Sequence, residues 1–262
     1  MNSLTFIYPA IALVIGLSFG SFANVCIYRL PKNKQVLTGR SYCPKCKKKI
    51  KWFDNIPLIS FLSLNGKCRS CKKKISPQYF IVELIAGLGF LFIFLNYDNH
   101  LAKLLLIILL LMYLMIFFID LKHFIIPDVL NYGIIVIAFL KNFLPDLNLN
   151  FVQDIKLSLM GGIAGFFSIW IIIYLYKTFK KTEGMGMGDA KLMAGVGLLL
   201  GWQSIPFVLF LSATLGLLMV MPSLLEKRKS LKSKIPFGPY IITAGVIYFL
   251  YGDVLYKMAL GI

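Results

Sequence analysis

Long apolar runs alternate with short polar segments along the whole chain. Eight of the runs are candidate membrane spans, and charged residues are concentrated at their ends. A helical run of about 20 apolar residues is long enough to cross a bilayer. The pattern therefore predicts an all-α, polytopic membrane protein with about eight transmembrane helices. These candidate spans cover residues 5–25, 79–97, 102–120, 126–144, 156–177, 189–203, 205–225 and 236–257.

The polar segment after the first span is the one most suited to a separate module. We predict a first transmembrane helix over residues 1–29, a basic loop over 30–78, and a seven-helix membrane domain over 79–262. The first run does not have the features of a cleavable signal peptide, because it lacks a basic start and a clear small-residue cleavage site. We therefore expect it to remain as a membrane helix.

Composition excludes an ordinary soluble domain. The chain is 58% hydrophobic, with a mean hydropathy of +0.78, whereas soluble domains are about 45–50% apolar. The net charge of +17 could indicate nucleic acid or anionic lipid as a partner. However, residues 31–78 contain thirteen lysines and arginines and a single acid, Asp54. Such a concentration is the usual signal of a cytoplasmic loop, so the bilayer is the expected partner and no nucleic acid is expected.

The positions of the basic loops also predict the orientation of the chain. If residues 30–78 are cytoplasmic, the basic segments after the third, fifth and seventh spans fall on the same side. The predicted outer loop at 145–154 contains two aspartates and no lysine or arginine. An even number of spans with both termini outside is consistent with all of these segments.

Four cysteines in the basic loop form two Cys-x-x-Cys motifs, CPKC at 43–46 and CRSC at 68–71. Two such motifs at this separation can present four thiolates tetrahedrally to a structural zinc ion. Two disulfides are the alternative, although disulfides seldom persist in a reducing cytosol. We therefore predict zinc ligation by four residues, Cys43, Cys46, Cys68 and Cys71.

Two aspartates lie at the predicted cytoplasmic ends of membrane spans. Asp120 ends the third span, and Asp189 begins the sixth within EGMGMGDAKL. Acidic residues in or beside membrane spans are energetically costly, and they often have a function. Two carboxylates at one site can share a proton and hydrolyse a peptide bond, one as general base and the other as acid. The helix dipole favours Asp189, at a helix N-terminus, as the charged partner.

The glycines before Asp189 have two interpretations. Gly186 and Gly188 lack Cβ atoms, so the backbone of an extended substrate could approach closely. Alternatively, the segment is a hinge, and Asp189 only caps the next helix. Glu183 could contact substrate or belong to the turn. Asp128 is the rival second acid, although its place after Pro127 is typical of a helix start.

Non-enzymatic alternatives remain at this point. The acids could carry protons in an ion-coupled transporter, but transporters place such groups near the bilayer midplane. The zinc loop could instead bind nucleic acid, with Trp52 and Phe53 as the aromatic contacts.

The chain resembles the type IV prepilin peptidase family, the GxGD-type intramembrane aspartic proteases of bacteria. The resemblance rests on the order of six segments that together span nearly the whole chain. They are SFANVCIYRLP at 21–31, the double CxxC loop, SPQYFIVELIAG at 76–87, IDLKHFIIPD at 119–128, EGMGMGDAKL at 183–192 and IPFGPYI at 235–241.

The resemblance implies an enzyme of the bacterial cytoplasmic (inner) membrane whose active site faces the cytoplasm. The family cleaves basic leaders from prepilins and pseudopilins, and its catalytic acids match Asp120 and Asp189. Many members also N-methylate the new amino terminus with S-adenosylmethionine, and members with this loop are usually bifunctional. Glu83 and the basic loop are the candidates for that second activity. The FGP segment at 237–239 is similar to a proline-containing segment near the active site of other GxGD proteases.

Overall fold

The structure is a computed structural model that describes residues 4–36, 41–145, 147, 149–181, 185–225 and 235–260. Within these ranges the chain forms α-helices, short 3-10 turns and two isolated β-bridges, and no strand. The helices are α1 Leu4–Arg29, α2 Ile59–Ser63, α3 Pro77–Asn96, α4 His100–His123, α5 Asp128–Leu140, α6 Ile155–Lys180, α7 Met187–Leu200, α8 Ser204–Leu225 and α9 Gly238–Leu260.

Eight of these helices coincide with the eight predicted spans, which confirms the predicted all-α membrane fold. Among the described residues, five helices are long and apolar enough to cross a membrane: α1, α3, α4, α6 and α8. The described apolar part of α9 is shorter, and α5 and α7 have only 13 and 14 residues. The short helix α2 lies in the basic loop and was not predicted.

The chain divides into two compact units, Met1–Met115 and Ile116–Ile262. The boundary falls inside α4. The first unit therefore includes α1, α2, α3 and the first part of α4, and the predicted division at residues 29 and 78 stays a prediction. Both candidate acids belong to the second unit.

Close contact between α1 and α3 organises the first unit. A Cβ atom at Gly20 would lie 2.7 Å from the Cα of Glu83, and one at Gly16 would lie 2.8 Å from the carbonyl oxygen of Ala86. The two glycines are four residues apart and therefore share one face of α1. Small residues at this spacing allow membrane helices to approach until their backbones touch.

The second unit contains an even closer helix pair, α6 and α7. A Cβ atom at Gly197 would overlap the carbonyl oxygen of Gly161, and one at Gly161 would overlap that of Gly197. The hydroxyl of Ser158, near the start of α6, donates to the carbonyl of Leu198 near the end of α7 at 2.6 Å. The two helices are therefore antiparallel, and the end of α6 lies at the same end of the unit as the start of α7.

The start of α5 lies at that end as well. Asn131, one turn into α5, donates its side-chain amide to the carbonyl of Gly188 at 3.1 Å. The short helix α7 is thus held between α5 and α6, and its buried side chains include almost every residue from Asp189 onward. This packing fixes the position of the first turn of α7, which carries Asp189.

Candidate active site and metal-binding cluster

Asp189 is the third residue of α7. Its backbone N–H donates to the carbonyl of Gly186 at 3.1 Å, and its Oδ2 accepts the backbone N–H of Gly186 at 3.3 Å. This reciprocal pair of bonds is a capping arrangement, which satisfies N–H groups that a helix start leaves without partners. Asp189 is only 8% exposed, so the carboxyl is buried at a helix N-terminus.

Asp120 lies one turn before the end of α4 and is 4% exposed. Its Oδ2 accepts the backbone N–H of Gly238, the first residue of α9, at 3.0 Å. A Cβ atom at Gly238 would lie 2.9 Å from that oxygen and 3.0 Å from Cδ1 of Ile126. The absence of a side chain at Gly238 is therefore what lets the α9 backbone reach the carboxyl.

The structure brings the two acids together. Ile126 packs against both neighbouring backbones, since Cβ atoms at Gly188 and Gly238 would lie 3.1 Å and 3.0 Å from its side chain. Two buried carboxyl groups therefore lie on either side of one residue, Ile126.

The helix-dipole argument for assigning roles to the two acids needs a correction. Asp120 is near the C-terminus of its own helix, but its carboxyl also faces the N-terminus of α9 through Gly238. Asp189 faces the N-terminus of α7. Because both carboxyls have a helix N-terminus beside them, the dipole alone does not distinguish the base from the acid.

Asp128, the rival second acid, is in a different environment. It begins α5, its side chain is 60% exposed, and its Oδ1 lies 2.6 Å from the ammonium group of Lys191. Lys191 also lies over the ring of Tyr132, with its Nζ 5.0 Å from the ring centroid. Asp128 is therefore an exposed member of an ion pair that connects α5 to α7.

The predicted substrate-contacting residues differ in accessibility. Gly186 is exposed, whereas Gly188 is half-buried and its carbonyl accepts the Asn131 amide. Glu183 lies outside the described residues. Asn131 itself is completely buried, and its Oδ1 has no hydrogen-bond partner among the described residues.

Sequence reasoning missed three contacts around the site, those of Gly238 with Asp120, of Asn131 with the carbonyl of Gly188, and of Lys191 with Asp128. The FGP segment gave a signal for Gly238. Asn131 and Lys191 gave no such signal in the sequence, because a single polar residue in an apolar helix and a single lysine beside a span are both common. Their positions follow from how α5 packs on α7.

The four cysteines of the basic loop form a cluster in the first unit. Their sulfur atoms all lie within 4.8 Å of one another, and the Sγ atoms of Cys43 and Cys71 are 4.0 Å apart. Sulfurs bound to one tetrahedral zinc ion are separated by roughly 3.8 Å, from a Zn–S distance of about 2.3 Å. The cluster therefore has the composition and size of a four-thiolate metal site.

The two CxxC motifs have the same backbone conformation. Lys47 and Lys72, each directly after the second cysteine of its motif, have φ values of 58° and 56°. Their N–H groups donate to the carbonyls of Cys43 and Cys68, the first cysteines, at 2.8 Å and 2.9 Å. Each motif is thus a tight turn that points two sulfurs to one side. The backbone N–H of Cys71 lowers the pKa of the Cys68 thiol to about 7 by hydrogen bonding, which favours the thiolate that binds metal.

Two contacts support the segment between the motifs. Arg69 forms an ion pair with Asp54 at 2.7 Å, and this hydrogen bond lowers the pKa of the Asp54 carboxyl. The buried carboxylate of Glu83 on α3 accepts the backbone N–H of Leu58 at 2.9 Å. Leu58 has a φ of 57°, unusual for a bulky residue. Glu83 thus connects the middle of the basic loop to α3, a membrane helix.

Comparison with known proteins agrees with these features. The model of the bacterial peptidase A24 N-terminal domain matches residues 14–97. The model of the type IV leader peptidase family matches residues 105–221. No solved structure gives a significant match.

Three curated relatives, each named prepilin leader peptidase/N-methyltransferase, are similar over nearly their whole length. The protein of Vibrio cholerae serotype O1 is 34% identical, over 94% of this chain and 98% of its own. That of Pseudomonas aeruginosa is 32% identical, over 92% and 89%. That of Neisseria gonorrhoeae is 30% identical, over 98% and 96%.

The fold and the matched domains together define a polytopic membrane enzyme of the peptidase class. The chain belongs to the type IV leader peptidase family. This membership confirms the resemblance predicted from the six sequence segments.

Proposed function

We propose that this protein is a prepilin leader peptidase that uses Asp120 and Asp189 as its catalytic pair. The observation that carries the proposal is the burial of these two carboxyls, each with a glycine N–H at a helix N-terminus. The names of the relatives, prepilin leader peptidase/N-methyltransferase, supply the substrate and the reaction.

In the proposed mechanism a water molecule lies between the two carboxyls. The charged carboxylate removes a proton from the water, and the water oxygen attacks the carbonyl carbon of the scissile peptide. The protonated carboxyl donates its proton to the carbonyl oxygen, and a tetrahedral diol results. When the diol collapses, the C–N bond breaks and the departing amine takes a proton from the protonated carboxyl, while one diol hydroxyl gives its proton to the other carboxylate.

The backbone donors hold the two carboxyls in place during these transfers. The N–H groups of Gly186 and Gly238 each fix one oxygen of one acid, so the other oxygens remain for water and substrate. Fixed donors that need no reorganisation are an efficient source of stabilisation in such reactions. Gly186 and Gly188 would additionally allow the substrate backbone to approach.

We place the reaction at the cytoplasmic face of the bacterial inner membrane. The basic segments, counted along the sequence, put the ends of the spans that carry Asp120 and Asp189 on the cytoplasmic side. The substrate's apolar helix would then lie in the bilayer while its basic leader remains in the cytosol. Prepilins or pseudopilins are accordingly the proposed partners, together with the lipid bilayer.

The second proposed activity is N-methylation of the new amino terminus with S-adenosylmethionine as donor. Its support is the name that the relatives share. Glu83 and the basic loop remain the candidate region, and Glu83 accepts the backbone N–H of Leu58, which lies in that loop.

Zinc is the proposed metal of the four-cysteine cluster. Four thiolates and no open position correspond to a structural site rather than a catalytic one. Bound there, the ion would join the two CxxC turns and stabilise a loop that has only a small apolar core.

The test is cleavage of a full-length prepilin in detergent, with the released leader measured by mass spectrometry. We expect the wild type to cleave and Asp189→Asn to be inactive while it elutes and melts like the wild type. Asp128→Asn is the matched control, because Asp128 is an exposed acid on α5, and it should keep most of the activity. An active Asp189→Asn variant would overturn the proposed mechanism.

A further inference from the structure

Three large apolar side chains are exposed on the basic loop, between its two CxxC motifs. Trp52, Ile59 and Leu62 are 76%, 64% and 61% exposed. Trp52 begins a 3-10 turn, and the other two lie three residues apart on α2, which places them on one face of that helix. The four-cysteine cluster and the two acids do not include them. Exposed apolar side chains of this size in one segment indicate a contact surface.

The turn and α2 are joined to each other and to the membrane helix α3. The hydroxyl of Ser60 donates to the carbonyl of Phe53 at 2.9 Å, which links α2 to the turn that carries Trp52. The ring of Phe61 packs against that of Phe80 on α3, with centroids 5.4 Å apart. Phe61 therefore faces α3, whereas its neighbours on α2 remain exposed.

A hydrogen bond to Glu83 places α2 at the depth of the membrane surface. The backbone N–H of Leu58, directly before α2, donates to the Glu83 carboxylate at 2.9 Å. Glu83 is on α3, which begins at Pro77, so this contact lies about 9 Å along the helix from its first residue. Because α3 is long and apolar enough to span the membrane, α2 lies beside the end of a membrane span, where lipid headgroups meet the hydrocarbon.

The surroundings of this apolar surface are basic. Asp54, the single acid of residues 31–78, is already paired with Arg69. A pocket of about 410 Å³ opens at the end of α2, directly after Leu62. Its polar lining consists of Ser63, Asn65, Lys67, Arg69 and Lys72. Hydroxyl, amide and ammonium donors with a surplus of positive charge suit a phosphate group.

Apolar side chains beside a basic pocket match the two layers of a membrane surface. Tryptophan is enriched where headgroups meet the hydrocarbon, and surface-bound apolar side chains enter that boundary while neighbouring lysines attract anionic lipid. Lysine side chains are long enough to reach phosphates while their methylene stems contact apolar groups.

We propose that the basic loop is a docking surface for anionic phospholipid. Trp52, Ile59 and Leu62 enter the adjoining leaflet, and the pocket lined by Lys67 and Lys72 binds the phosphate of one headgroup. The four-cysteine cluster is thereby held against the membrane and does not extend into the cytosol. This inference depends on α1 and α3 being membrane helices and not on the proposed peptidase reaction.

The experiment measures the fluorescence of Trp52 in the full-length protein reconstituted into lipid nanodiscs. The chain has three tryptophans, so Trp170→Phe together with Trp202→Phe leaves Trp52 as the single emitter. Bromine on the acyl chains is the quencher, carried either by phosphatidylglycerol or by phosphatidylcholine at the same mole fraction. We expect both lipids to quench Trp52, and phosphatidylglycerol to do so about twofold or more strongly, because lysines near the surface attract it.

Two sets of variants separate the apolar contact from the headgroup contact. Lys67→Gln with Lys72→Gln should remove the preference for phosphatidylglycerol while both lipids still quench. Lys180→Gln with Lys181→Gln, at the end of α6, removes the same charge elsewhere and should keep the preference. Ile59→Ser with Leu62→Ser should weaken quenching by both lipids. Unchanged protease resistance of residues 41–75 shows that a variant keeps the fold of the loop.

Several results would overturn the inference. If aqueous acrylamide quenches Trp52 and brominated lipid does not, the surface lies in water. If neither quencher acts, another protein surface covers it, and if an added prepilin abolishes lipid quenching, the substrate helix is the occupant. Equal quenching by the two lipids, or loss of the preference in excess inorganic phosphate or duplex DNA, would show that the pocket does not select a lipid headgroup. None of these measurements uses leader cleavage, so their failure leaves the proposed function intact.

Discussion

At the scale of single residues, glycines determine how the two acids are held. Asp120 and Asp189 each accept one backbone N–H, from Gly238 and Gly186 respectively. The two glycines differ in their surroundings: a Cβ at Gly186 has open space, whereas one at Gly238 would contact Oδ2 of Asp120 at 2.9 Å. Gly238 is therefore required by the close approach of the α9 backbone to Asp120, whereas the open position of Gly186 leaves space beside Asp189.

Gly238→Ala should inactivate the peptidase without unfolding it. The added methyl group would push the Asp120 carboxyl or Ile126 aside, and a displacement of about 1 Å at a catalytic group can cost about 100-fold in rate. We expect kcat for leader cleavage to fall by about that factor, with a small change in melting temperature. Gly245→Ala on the same helix is the control, because its Cβ would lie 3.4 Å from Val196 at ordinary contact distance. Equal activity in both variants would contradict the role given to Gly238.

At the scale of helices, the position of Asp189 depends on the α6–α7 pair. The helix α7 has 14 residues and is buried along almost its whole length. Gly161 and Gly197 let its backbone touch that of α6, and dispersion contacts at such interfaces drive helix association in lipid. The proposed catalytic acid, Asp189, thus lies on a short helix that is packed closely against its neighbours.

Gly197→Ala should disturb this pair. The new Cβ would overlap the carbonyl oxygen of Gly161, which is backbone and cannot rotate away. Overpacking of this kind typically costs about 1–3 kcal/mol. We expect a lower melting temperature in detergent together with a loss of cleavage, and neither effect in Gly245→Ala. A Gly197→Ala protein with wild-type stability would show that the two helices are not in backbone contact.

We predict that the basic loop depends on a bound zinc ion for its fold. Purified wild-type protein should contain one zinc ion per chain by elemental analysis, and Cys68→Ser should contain much less. Removal of the ion by a chelator should make the segment 41–75 sensitive to proteases, because metal binding contributes much of the folding free energy of such loops. Cys26→Ser is the control, since Cys26 lies in α1 outside the cluster, and it should keep its zinc. Resistance to proteolysis after metal loss would contradict a structural role.

At the scale of the whole molecule, the basic residues predict the orientation in the membrane. The +17 net charge is concentrated in segments that alternate regularly with the spans, and this regularity also supports the count of eight. Both termini should therefore lie outside, with the four-cysteine loop in the cytosol.

Labelling of introduced cysteines in intact cells tests this orientation. Asn150→Cys, in the predicted outer loop, should react with a membrane-impermeant maleimide added from outside. Lys180→Cys, at the end of α6, should react only after the inner membrane is permeabilised. The opposite labelling pattern would mean that the topology is inverted and that the proposed active site lies on the outer face of the membrane.

The fold could largely be predicted from the sequence, because apolar runs and basic loops follow directly from the properties of the bilayer. Of the candidate site, Asp120, Asp189 and the four cysteines could be proposed because acids in spans and paired CxxC motifs are rare. Gly238 and Asn131 could not be assigned roles, since their contacts depend on the packing of helices distant in sequence. The short helix α2 was also missed, because five residues carry too little periodicity to recognise.

The most direct test of the central claim is the rate of leader cleavage in Asp120→Asn, Asp189→Asn and the double variant, measured side by side. If the two carboxyls act as one pair, each single variant should lose about 10³-fold or more. The double variant should then be no slower than either single variant. A single variant that keeps a tenth or more of the wild-type rate, or a double variant slower by the product of the two losses, would contradict a shared catalytic pair.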